Sequence, residues 1–515
     1  MGILAVAFAL GLVGTGRSDA SSHGVARHVA AGTARRPTTR SGGAPLPSGL
    51  TAVTVHPGAR GRTIPAGFLG LSFEYWAVAN YAGHDPRAVD PVLVQLIRNL
   101  VGPDGVLRIG GVTTDWTWWP VAGFARPGGV NYTLTRRRLA VMGALARDVG
   151  ARLILGLNLE ANSRRLAAAE ERAMLTVIGP RQIEAFELGN EPELYSSFTW
   201  YRTPDGASVL GRPAGWDFAT FTRDFTRVAA SIAPAPIAGP TVGGLPWLNL
   251  HQFLAAEPRL ALVSLHRYPL FGCFNNPASK TYPTIGNLLS ESASRGLADS
   301  LAPEVAIAHA HGLRLRNDEM NSVSCGNGYG TANVFASALW ALDALFQMAR
   351  VGVDGVNIHT APVYSDRLFK VKRVKSRWQA NVAPEYYGLL MFARAAPAGS
   401  RLLRVSGASG AVRAWAAQVP TGQIHVILIN DDTAHARKLA VRVLGASGAA
   451  TLERLRAPSV HATRGVTFGG RSFGAPTTTG VLRGPSHTAA LTPRAGDYLV
   501  RMPAASAAML TLPAG

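Results

Sequence analysis

Two glutamates stand where apolar runs of the chain give way to polar residues. Glu191 lies in the segment 187–193, Glu-Leu-Gly-Asn-Glu-Pro-Glu, and Glu319 follows the alternating run 312–318. Neither is accompanied by histidine or cysteine spacing typical of a metal site. Two facing carboxyl groups without a metal motif are typical of glycosidic bond hydrolysis, in which one acid protonates the leaving oxygen and one carboxylate attacks the anomeric carbon. A separation of about 5–5.5 Å predicts retention of configuration, and a wider gap predicts inversion.

The elements that must position these glutamates repeat along the chain. Each repeat is a short apolar strand, then polar residues, then a helical or loop stretch, with the clearest helical pattern at 332–349. This rhythm predicts an α/β fold, a (β/α)₈ TIM barrel, whose active sites lie at the carboxyl ends of the strands. A doubly wound open sheet is the alternative, but no Gly-x-Gly-x-x-Gly follows the first strand. The eight predicted strands are 68–74, 106–110, 152–158, 184–190, 236–242, 261–267, 312–318 and 353–359.

Strand geometry then predicts how individual carboxyl groups point. Pro192 is expected to hold Glu191 in an extended conformation. Alternation along the seventh strand places Asp318 on the opposite face from Glu319, which excludes Asp318 as a catalytic residue. Glu187 is predicted to lie too deep in its strand for catalysis, and Glu193 to begin the following helix.

The rhythm changes after about residue 395. Short alternating runs separated by Gly, Pro, Asp and Ser predict an all-β sandwich. The strand at 51–55 has no partner in the barrel count, so we expect it to join that sandwich. The predicted organisation is a signal peptide (1–20), a disordered linker (21–49), an N-terminal sandwich strand (50–64), the catalytic barrel (65–394) and the sandwich (395–515).

The N-terminus and the charge bear on compartment and partners. Residues 3–13 form an apolar run of signal-peptide length, and Ser18-Asp19-Ala20 offers a small-x-small cleavage site, which predicts secretion. Export makes a disulfide between the two cysteines, Cys273 and Cys325, an expectation. No stretch after residue 50 is long and apolar enough for a membrane span, which predicts a soluble protein without a membrane partner.

The formal net charge is +20, and it remains +16 without segment 17–49. Such a field would attract an acidic polysaccharide, a nucleic acid or an anionic surface. An Arg-rich proteome is the alternative explanation. Because the arginines are scattered and show no aromatic-interleaved stripe, a nucleic-acid partner is not expected.

Several motifs of the chain occur together in one known family. They are Gly189-Asn190-Glu191-Pro192, the segment 318–326 (Asp-Glu-Met-Asn-Ser-Val-Ser-Cys-Gly), Phe73-Glu74-Tyr75-Trp76, Arg108-Ile109-Gly110-Gly111 and His266-Arg267-Tyr268-Pro269. Over roughly residues 50–515 the chain resembles glycoside hydrolase family 79, the β-glucuronidase and heparanase group. The resemblance implies a retaining barrel glycosidase with Glu191 as acid/base after strand four and Glu319 as nucleophile after strand seven.

The resemblance and simple chemistry assign roles to neighbouring residues. Asn190 is expected to donate to the sugar 2-hydroxyl, and Arg108 and Tyr268 to hold Glu319 ionised. Alternatively, Arg108 pairs with Glu74 in the barrel core, and this pairing is compatible with its role beside Glu319. His266 is expected to orient a neighbour rather than transfer protons. Burial or the Glu319 charge must keep Glu191 protonated near neutrality.

Recognition of the sugar is the next expectation. Glucuronidases of this family bind the sugar carboxylate with tyrosine hydroxyls and backbone amides, but one expected tyrosine position is Ser324 in this chain. Tyr364 would be the second tyrosine, and Gly326 and its neighbours would supply amides. A Cys273–Cys325 bond would fix the loop that shapes the pocket. Further candidate substrate contacts are Glu74 and Asn158.

Together these observations predict a secreted retaining β-glycoside hydrolase, foremost an exo-acting β-glucuronidase-like enzyme acting on a uronic-acid-containing glycan. The alternatives are an endo-acting heparanase-like hydrolase, a β-glycosidase for a neutral sugar, and a glycan-binding protein without turnover. No cofactor and no metal site are predicted.

Overall fold

The apolar runs of the sequence form the strands of a closed barrel. A computed structural model describes residues 50–232 and 234–514, so the predicted signal peptide and linker lie outside the described residues. The barrel contains eight parallel strands, each paired with the strand next in sequence, and the eighth closes on the first. Barrel strands one to eight are Leu69–Glu74, Gly105–Gly110, Ala151–Leu157, Ile183–Leu188, Ile237–Val242, Leu260–Arg267, Arg314–Met320 and Gly355–Thr360. The predicted TIM barrel is confirmed.

One strand boundary differs from its prediction in a way that matters. Strand seven was expected to end at residue 318, but it continues to Met320, so Glu319 lies within the strand and not after it. Its pairing is irregular on both sides, between Leu265 and His266 on strand six and between Asn317 and Met320 toward strand eight. Such irregularities re-aim side chains, often next to active sites.

Helices surround the barrel and begin at residues suited to cap them. Asp90, Thr135, Ser163 and Asp217 each accept a hydrogen bond from a backbone N–H of the first turn of their helix, which satisfies a donor that the helix leaves open. The principal helices are Tyr75–Ala82, Pro91–Val101, Arg136–Val149, Arg164–Val177, Phe218–Ala229, Leu250–Ala256, Ala302–Ala310, Phe335–Val351 and Pro384–Ala395.

The barrel interior changes from apolar to charged along its axis. At the amino-terminal end of the strands, five side chains form a buried apolar cluster: Val106, Ile154, Ala185, Ala238 and Leu262. Two residues further along strands two and four, the inward positions are Arg108 and Glu187, both completely buried. An apolar floor therefore supports a charged layer directly below the mouth.

The second domain is a ten-stranded β structure built from both ends of the chain. Strand Leu50–Thr63 pairs antiparallel with Arg401–Ser406 and parallel with Arg437–Val443, so the N-terminal strand joins the sandwich as predicted. The remaining main strands are Val412–Gln418, Ile424–Asn430, Ala450–Arg456, Asp497–Met502 and Ser506–Leu512. Short pairs are Thr117–Trp118 with Tyr132–Thr133, Thr199–Arg202 with Ser208–Leu210, Leu270–Gly272 with Val323–Gly326, and Phe369–Val374 with Arg377–Val382.

The sandwich packs on the barrel through an aromatic contact. Trp415 stacks on Phe346 of helix Phe335–Val351 with ring centroids 5.4 Å apart. The indole N–H of Trp415 also donates to Asp343 on the same helix at 2.8 Å. This helix is almost entirely buried because it lies between the barrel and the sandwich.

Candidate active site

Glu319 lies near the carboxyl end of strand seven, and its side chain is 10 % exposed. One carboxylate oxygen accepts a hydrogen bond from Nη1 of Arg108, and the other accepts from the hydroxyl of Tyr268 at 3.0 Å. His359 at the end of strand eight places Nδ1 3.8 Å from the same carboxylate. Both contacts expected from the sequence, those of Arg108 and Tyr268, are present in the structure.

The surroundings of Glu319 determine its charge. Burial by itself favours the neutral carboxyl group, but the positive charges of His359, His266 and Arg108 outweigh it and hold the pKa of Glu319 well below its ordinary range. In return, although burial lowers it, the charge of Glu319 leaves the pKa of His359 above its ordinary value. Glu319 is therefore a carboxylate across the neutral range.

Arg108 links this carboxylate to the rest of the barrel. Its Nε donates to Glu187 at 2.6 Å, and its Nη2 donates to Oδ1 of Asn190 at 2.9 Å. The alternative pairing of Arg108 with Glu74 is wrong, because the guanidinium reaches across the barrel to strands four and seven. Glu187 is the buried counter-ion of Arg108 and lies below the mouth, as its depth in the strand predicted.

Strand alternation predicted that Asp318 faces away from Glu319, and this predicted orientation is wrong. Its carboxyl group is completely buried inside the barrel, 3.8 Å from Nε of Arg108 and 3.7 Å from Nε2 of His266. The irregular ladder around 317–320 allows both consecutive acids to face inward. Burial and the neighbouring Glu187 raise the pKa of Asp318 well above its ordinary value, so this group is a neutral acid.

Glu187, His266 and Asp318 each offer an atom that could ligate a metal, and these atoms lie within 4.8 Å of one another. The guanidinium of Arg108 already supplies positive charge to this cluster, at 2.6 Å from Glu187. The positive charge beside these groups is therefore that of the Arg108 side chain.

Glu191 occupies a loop after strand four, and its conformation is not the predicted extended one. Its φ of +46° and ψ of +59° are left-handed, which is uncommon for a residue that is not glycine. Two backbone hydrogen bonds hold it: its N–H donates to the carbonyl of Thr241 at 3.1 Å, and its carbonyl accepts from the N–H of Leu194 at 2.9 Å. Pro192 then starts the short helical turn 192–194. Strain of about 1–3 kcal/mol at such positions is typical of functional sites.

The side chain of Glu191 has a sparser environment than that of Glu319. It is 17 % exposed, and Nδ1 of His266 lies 3.2 Å from Oε1. His266 thus contacts Glu191, as expected of an orienting residue. One oxygen of Glu191 and one of Glu319 lie within 4.8 Å of each other. An oxygen-to-oxygen approach this short is in keeping with closely spaced carboxyl pairs, about 5–5.5 Å apart, such as those of retaining glycosidases.

Asn190 is held in place by two neighbours. Its backbone N–H donates to Asp115 at 3.0 Å, and its side-chain oxygen accepts from Arg108. Because the oxygen is occupied, the amide nitrogen is the group left to face a ligand, and the side chain can act as a donor there.

Glu74 and Tyr364 lie at the mouth, but their side chains form hydrogen bonds within the protein. Glu74 accepts from the backbone N–H and hydroxyl of Thr113, and from the hydroxyl of Tyr364 at 2.9 Å. His359 adds Nε2 at 3.4 Å. Since Tyr364 gives its only proton to Glu74, it cannot donate to a sugar carboxylate at the same time. In this structure both residues bond to the protein, and their expected contacts with the substrate stay predictions.

Asn158 is not brought to the mouth as an available ligand. Its amide nitrogen donates to the carbonyls of Asp115 and Thr117, both at 2.9 Å, and its side-chain oxygen accepts from Ala161 at 2.9 Å. It is completely buried, with every polar atom used. The predicted substrate contact is wrong because Asn158 ties two loops together.

The predicted disulfide is confirmed. Cys273 and Cys325 are bonded with their Cα atoms 5.4 Å apart, and they join the strand pair Leu270–Gly272 and Val323–Gly326. Gly326 has φ of +59°, and a Cβ there would lie 2.3 Å from backbone atoms of Gly272. Only glycine allows this approach, so Gly326 is needed for the loop to form, whether or not its amide also meets the substrate.

Two site residues escaped the sequence prediction. Asp115 accepts from the backbone of Leu159, Glu160 and Asn190 and from the hydroxyl of Tyr195, so it joins the loops after strands two, three and four. Burial raises the pKa of Asp115 to about 6. The polar cluster Thr-Thr-Asp at 113–115, directly after strand two, was the signal that could have found it. The other residue is His359, which lies within strand eight near its carboxyl end.

Glu193 does not begin a long helix but closes the loop after strand five. Its carboxylate accepts from the N–H groups of Gly243 and Gly244 at 2.7 and 2.6 Å. Burial and the nearby charge of Glu191 raise the pKa of Glu193 to about 8. This acid thus fixes the wall beside Glu191.

Comparison with known proteins supports the fold and the family. Residues 415–509 match the family model described as the glycosyl hydrolase family 79 C-terminal beta domain. No curated protein sequence matches the chain. Along the part of the chain that the structure describes, no helix is both long and apolar enough to cross a membrane.

Solved structures share the architecture over nearly the whole chain. A 4-O-α-L-rhamnosyl-β-D-glucuronidase from Fusarium oxysporum 12S has a TM-score of 0.70 at 20 % identity, covering 90 % of this chain and 100 % of its own. A GH51 arabinofuranosidase from Xanthomonas axonopodis pv. citri has a TM-score of 0.63 at 15 % identity, with the same coverage. An α-L-arabinofuranosidase from Thermotoga maritima has a TM-score of 0.61 at 14 % identity, covering 90 % and 99 %. These likenesses establish the fold, a barrel joined to a β-sandwich.

Proposed function

We propose that this chain is a member of glycosyl hydrolase family 79, whose C-terminal domain model matches residues 415–509, and that it is a secreted exo-acting β-glucuronidase-like enzyme that works with retention of configuration. Glu319 is the nucleophile and Glu191 is the acid/base. The observation that carries the proposal is the close approach of their carboxyl oxygens, within 4.8 Å.

In the first step Glu319 attacks the anomeric carbon while Glu191 gives its proton to the glycosidic oxygen. The carbon–oxygen bond to the leaving group breaks, and an ester links the sugar to Glu319. Tyr268 and Arg108 keep the nucleophile ionised and aimed, through hydrogen bonds to its two oxygens. Asn190 donates to the sugar 2-hydroxyl, a contact that strengthens in the transition state.

In the second step Glu191 acts as a base. Having given its proton to the leaving group in the first step, Glu191 is a carboxylate and takes a proton from a water molecule. The water attacks the anomeric carbon, the ester bond breaks, and Glu319 returns as a carboxylate. Two inversions give net retention. His266 holds Glu191 at 3.2 Å in both steps.

The sugar is the finer part of the proposal. A β-glucuronide is favoured because the structural relative from Fusarium oxysporum is a β-D-glucuronidase with similar architecture. Against it, Ser324 stands at one expected tyrosine position and Tyr364 donates to Glu74. Backbone amides around Gly326 then carry recognition of the uronate.

A panel of aryl β-glycosides tests this proposal, with glucuronide compared against glucoside, galactoside and xyloside. We expect the glucuronide to have the highest kcat/KM and proton NMR to show the β-anomer as the first product. An α-anomer as first product would contradict retention. Preference for a neutral glycoside would replace the uronate, and release of internal fragments from a polymer would replace exo action.

A mechanism-based trap tests the nucleophile directly. A 2-fluoro glycosyl fluoride of the preferred sugar should inactivate the enzyme, and peptide mass spectrometry should place the adduct on Glu319. An adduct on another carboxyl group would overturn the assignment. Secretion is tested separately, by N-terminal sequencing of protein collected from the culture medium, with cleavage expected after Ala20.

A further inference from the structure

A basic hairpin stands beside the catalytic mouth. It consists of residues 369–382, in which strands Phe369–Val374 and Arg377–Val382 pair antiparallel. Five of its residues are positively charged and exposed: Lys370, Lys372, Arg373, Lys375 and Arg377. No acidic residue occurs from 367 to 384, and none of the five forms an ion pair within the described chain.

The composition of this hairpin differs from that of the rest of the chain. Lys and Arg together number 51, but only five of them are lysines. Three of these five lie within six residues, at 370, 372 and 375. A general preference for arginine explains scattered arginines, but it does not explain a cluster of lysines. The positive charge of the basic hairpin is therefore a local feature and not a by-product of composition.

The hairpin is fixed at its base and open at its tip. Leu368 donates to Thr360, the last residue of strand eight, at 3.0 Å, and Phe369 packs edge-on against Tyr81 with centroids 5.1 Å apart. Ala380 pairs with Thr477 of the sandwich. The two-residue turn at the tip has positive φ at Lys375 and Ser376, where glycine or asparagine is usual. Two charged or polar side chains are thus presented at some conformational cost.

A polar path connects the hairpin with the active site. Strand eight ends at the mouth, and the hairpin follows it after eight residues, 361–368. Within that connection Arg367 donates to the carbonyl of Tyr364 at 2.9 Å and to the hydroxyl of Tyr329 at 3.0 Å. Tyr329 is 55 % exposed, and Tyr364 donates to Glu74 inside the mouth. Arg367, directly before the hairpin, is therefore joined through Tyr364 to Glu74 of the mouth.

The hairpin also carries an aromatic face suited to sugar rings. The guanidinium of Arg373 lies 5.6 Å from the centroid of Trp378, across one register pair of the hairpin. Trp378 is partly exposed and also packs against Gly83. Alternating ammonium groups and an aromatic ring complement a polymer that presents carboxylate or sulfate groups on a sugar backbone.

We propose that the basic hairpin, with Arg367, binds an acidic polysaccharide and holds that polymer beside the catalytic mouth. This inference rests on the proposed glycosidase function, since it names the substrate as polymeric and anionic. Binding outside the pocket raises the local concentration of chain ends without new contacts at the reacting sugar. Small aryl glycosides do not reach the hairpin and gain nothing from it.

The test compares two variants that lose equal charge. The hairpin variant replaces Lys370, Lys372, Lys375 and Arg377 by Gln. The control variant replaces four exposed basic residues of the sandwich by Gln: Arg404, Lys438, Arg456 and Arg501. The probe is polygalacturonate, whose α-linkages a β-glycosidase does not cleave, so binding is measured independently of turnover.

For the hairpin variant we expect the Kd for polygalacturonate at 0.1 M salt to rise by about tenfold or more, and the salt dependence to flatten as released counter-ions are lost. The control variant should change by less than about threefold, since uniform surface charge is screened at this salt concentration. Turnover of the preferred aryl glycoside should stay unchanged in both variants, which also shows that they fold.

Several outcomes would overturn the inference. They are equal weakening in both variants, equally tight binding of neutral dextran, and an equal hairpin-dependent gain in affinity for anionic phospholipid vesicles or duplex DNA. Failure of the binding test with normal aryl glycoside turnover would reject the hairpin surface alone. Loss of turnover for every aryl glycoside, with polygalacturonate binding intact, would reject the proposed function alone.

Discussion

The two glutamates of the mouth are built into the protein in opposite ways. Glu319 lies within barrel strand seven, and Arg108 and Tyr268 donate to its two oxygens. Glu191 sits on a loop in a left-handed conformation, its side chain is more exposed (17 % against 10 %), and its one side-chain neighbour within hydrogen-bond distance in the described residues is His266.

This difference corresponds to what each group must do. A nucleophile must remain ionised and still, and two donors, one on strand two and one directly after strand six, enforce both conditions on Glu319. An acid/base must lose and regain a proton in every turnover, so a dense set of donors would trap it in one state. The loop after strand four leaves Glu191 accessible, while its backbone bonds fix where the side chain starts.

The largest effect should come from removing the nucleophile. Glu319→Gln keeps the shape of the side chain but cannot form the ester, so we expect kcat for the aryl glycoside to fall roughly 10⁵-fold or more. Binding of the sugar product, measured by calorimetry, should change little.

Asp318→Asn is the matched control for that variant. Asp318 is the adjacent residue, is buried in the same network and is a neutral acid, so its amide keeps both shape and charge. We expect kcat to stay within about tenfold of the wild-type enzyme, because no reacting group is lost. Equal losses in the two variants would show that Glu319 matters only through the charge network.

A smaller effect should come from Glu191→Ala, and it should depend on the leaving group. A poor leaving group needs the proton, so kcat/KM should fall about 10³-fold, within the usual range for general acid catalysis. A dinitrophenyl leaving group needs no proton, and bond cleavage should be nearly unaffected. Added azide should restore turnover and give the β-glycosyl azide. Uniform losses across leaving groups would contradict the acid role.

Apart from the Asp318 control, the smallest effect should come from Tyr268→Phe. Tyr268 donates to the charged form of Glu319, so its loss should raise the pKa of that carboxyl group from its depressed value. Glu319 must be ionised to attack, so the acidic limb of the kcat/KM profile should move to higher pH. At the optimum kcat should fall about tenfold, in keeping with a hydrogen bond to a charged group. An unchanged acidic limb would separate Tyr268 from the charge of Glu319.

Much of this comparison was visible in the sequence, and the exceptions have physical causes. The apolar runs predicted all eight barrel strands, because buried parallel strands read as continuous apolar segments. Alternation failed at Asp318, since it assumes a regular ladder and the ladder of strand seven is not regular. The rule for residues before proline failed at Glu191, because tertiary bonds to Thr241 and Leu194 hold a conformation that the local chain disfavours.

Polar side chains near the mouth were the hardest to assign. Asn158, Glu74 and Tyr364 have the right types at the ends of the right strands, yet their hydrogen bonds are made within the protein. Asp115 looked ordinary in the sequence and turned out to join three loops. Residue type shows what a side chain can donate or accept, but not which partner takes it.

The sequence by itself determined the strand pattern, the two glutamates and the cluster of lysines, because hydrophobic periodicity and composition are properties of the linear chain. Only the tertiary structure decided that one oxygen of Glu191 lies within 4.8 Å of one oxygen of Glu319, that Arg108 bonds Glu187 and Glu319, and that the base of the lysine-bearing hairpin packs against Tyr81. These are contacts between residues far apart in the chain. They exist because closing the barrel brings strands four, seven and eight to one end, which no local pattern encodes.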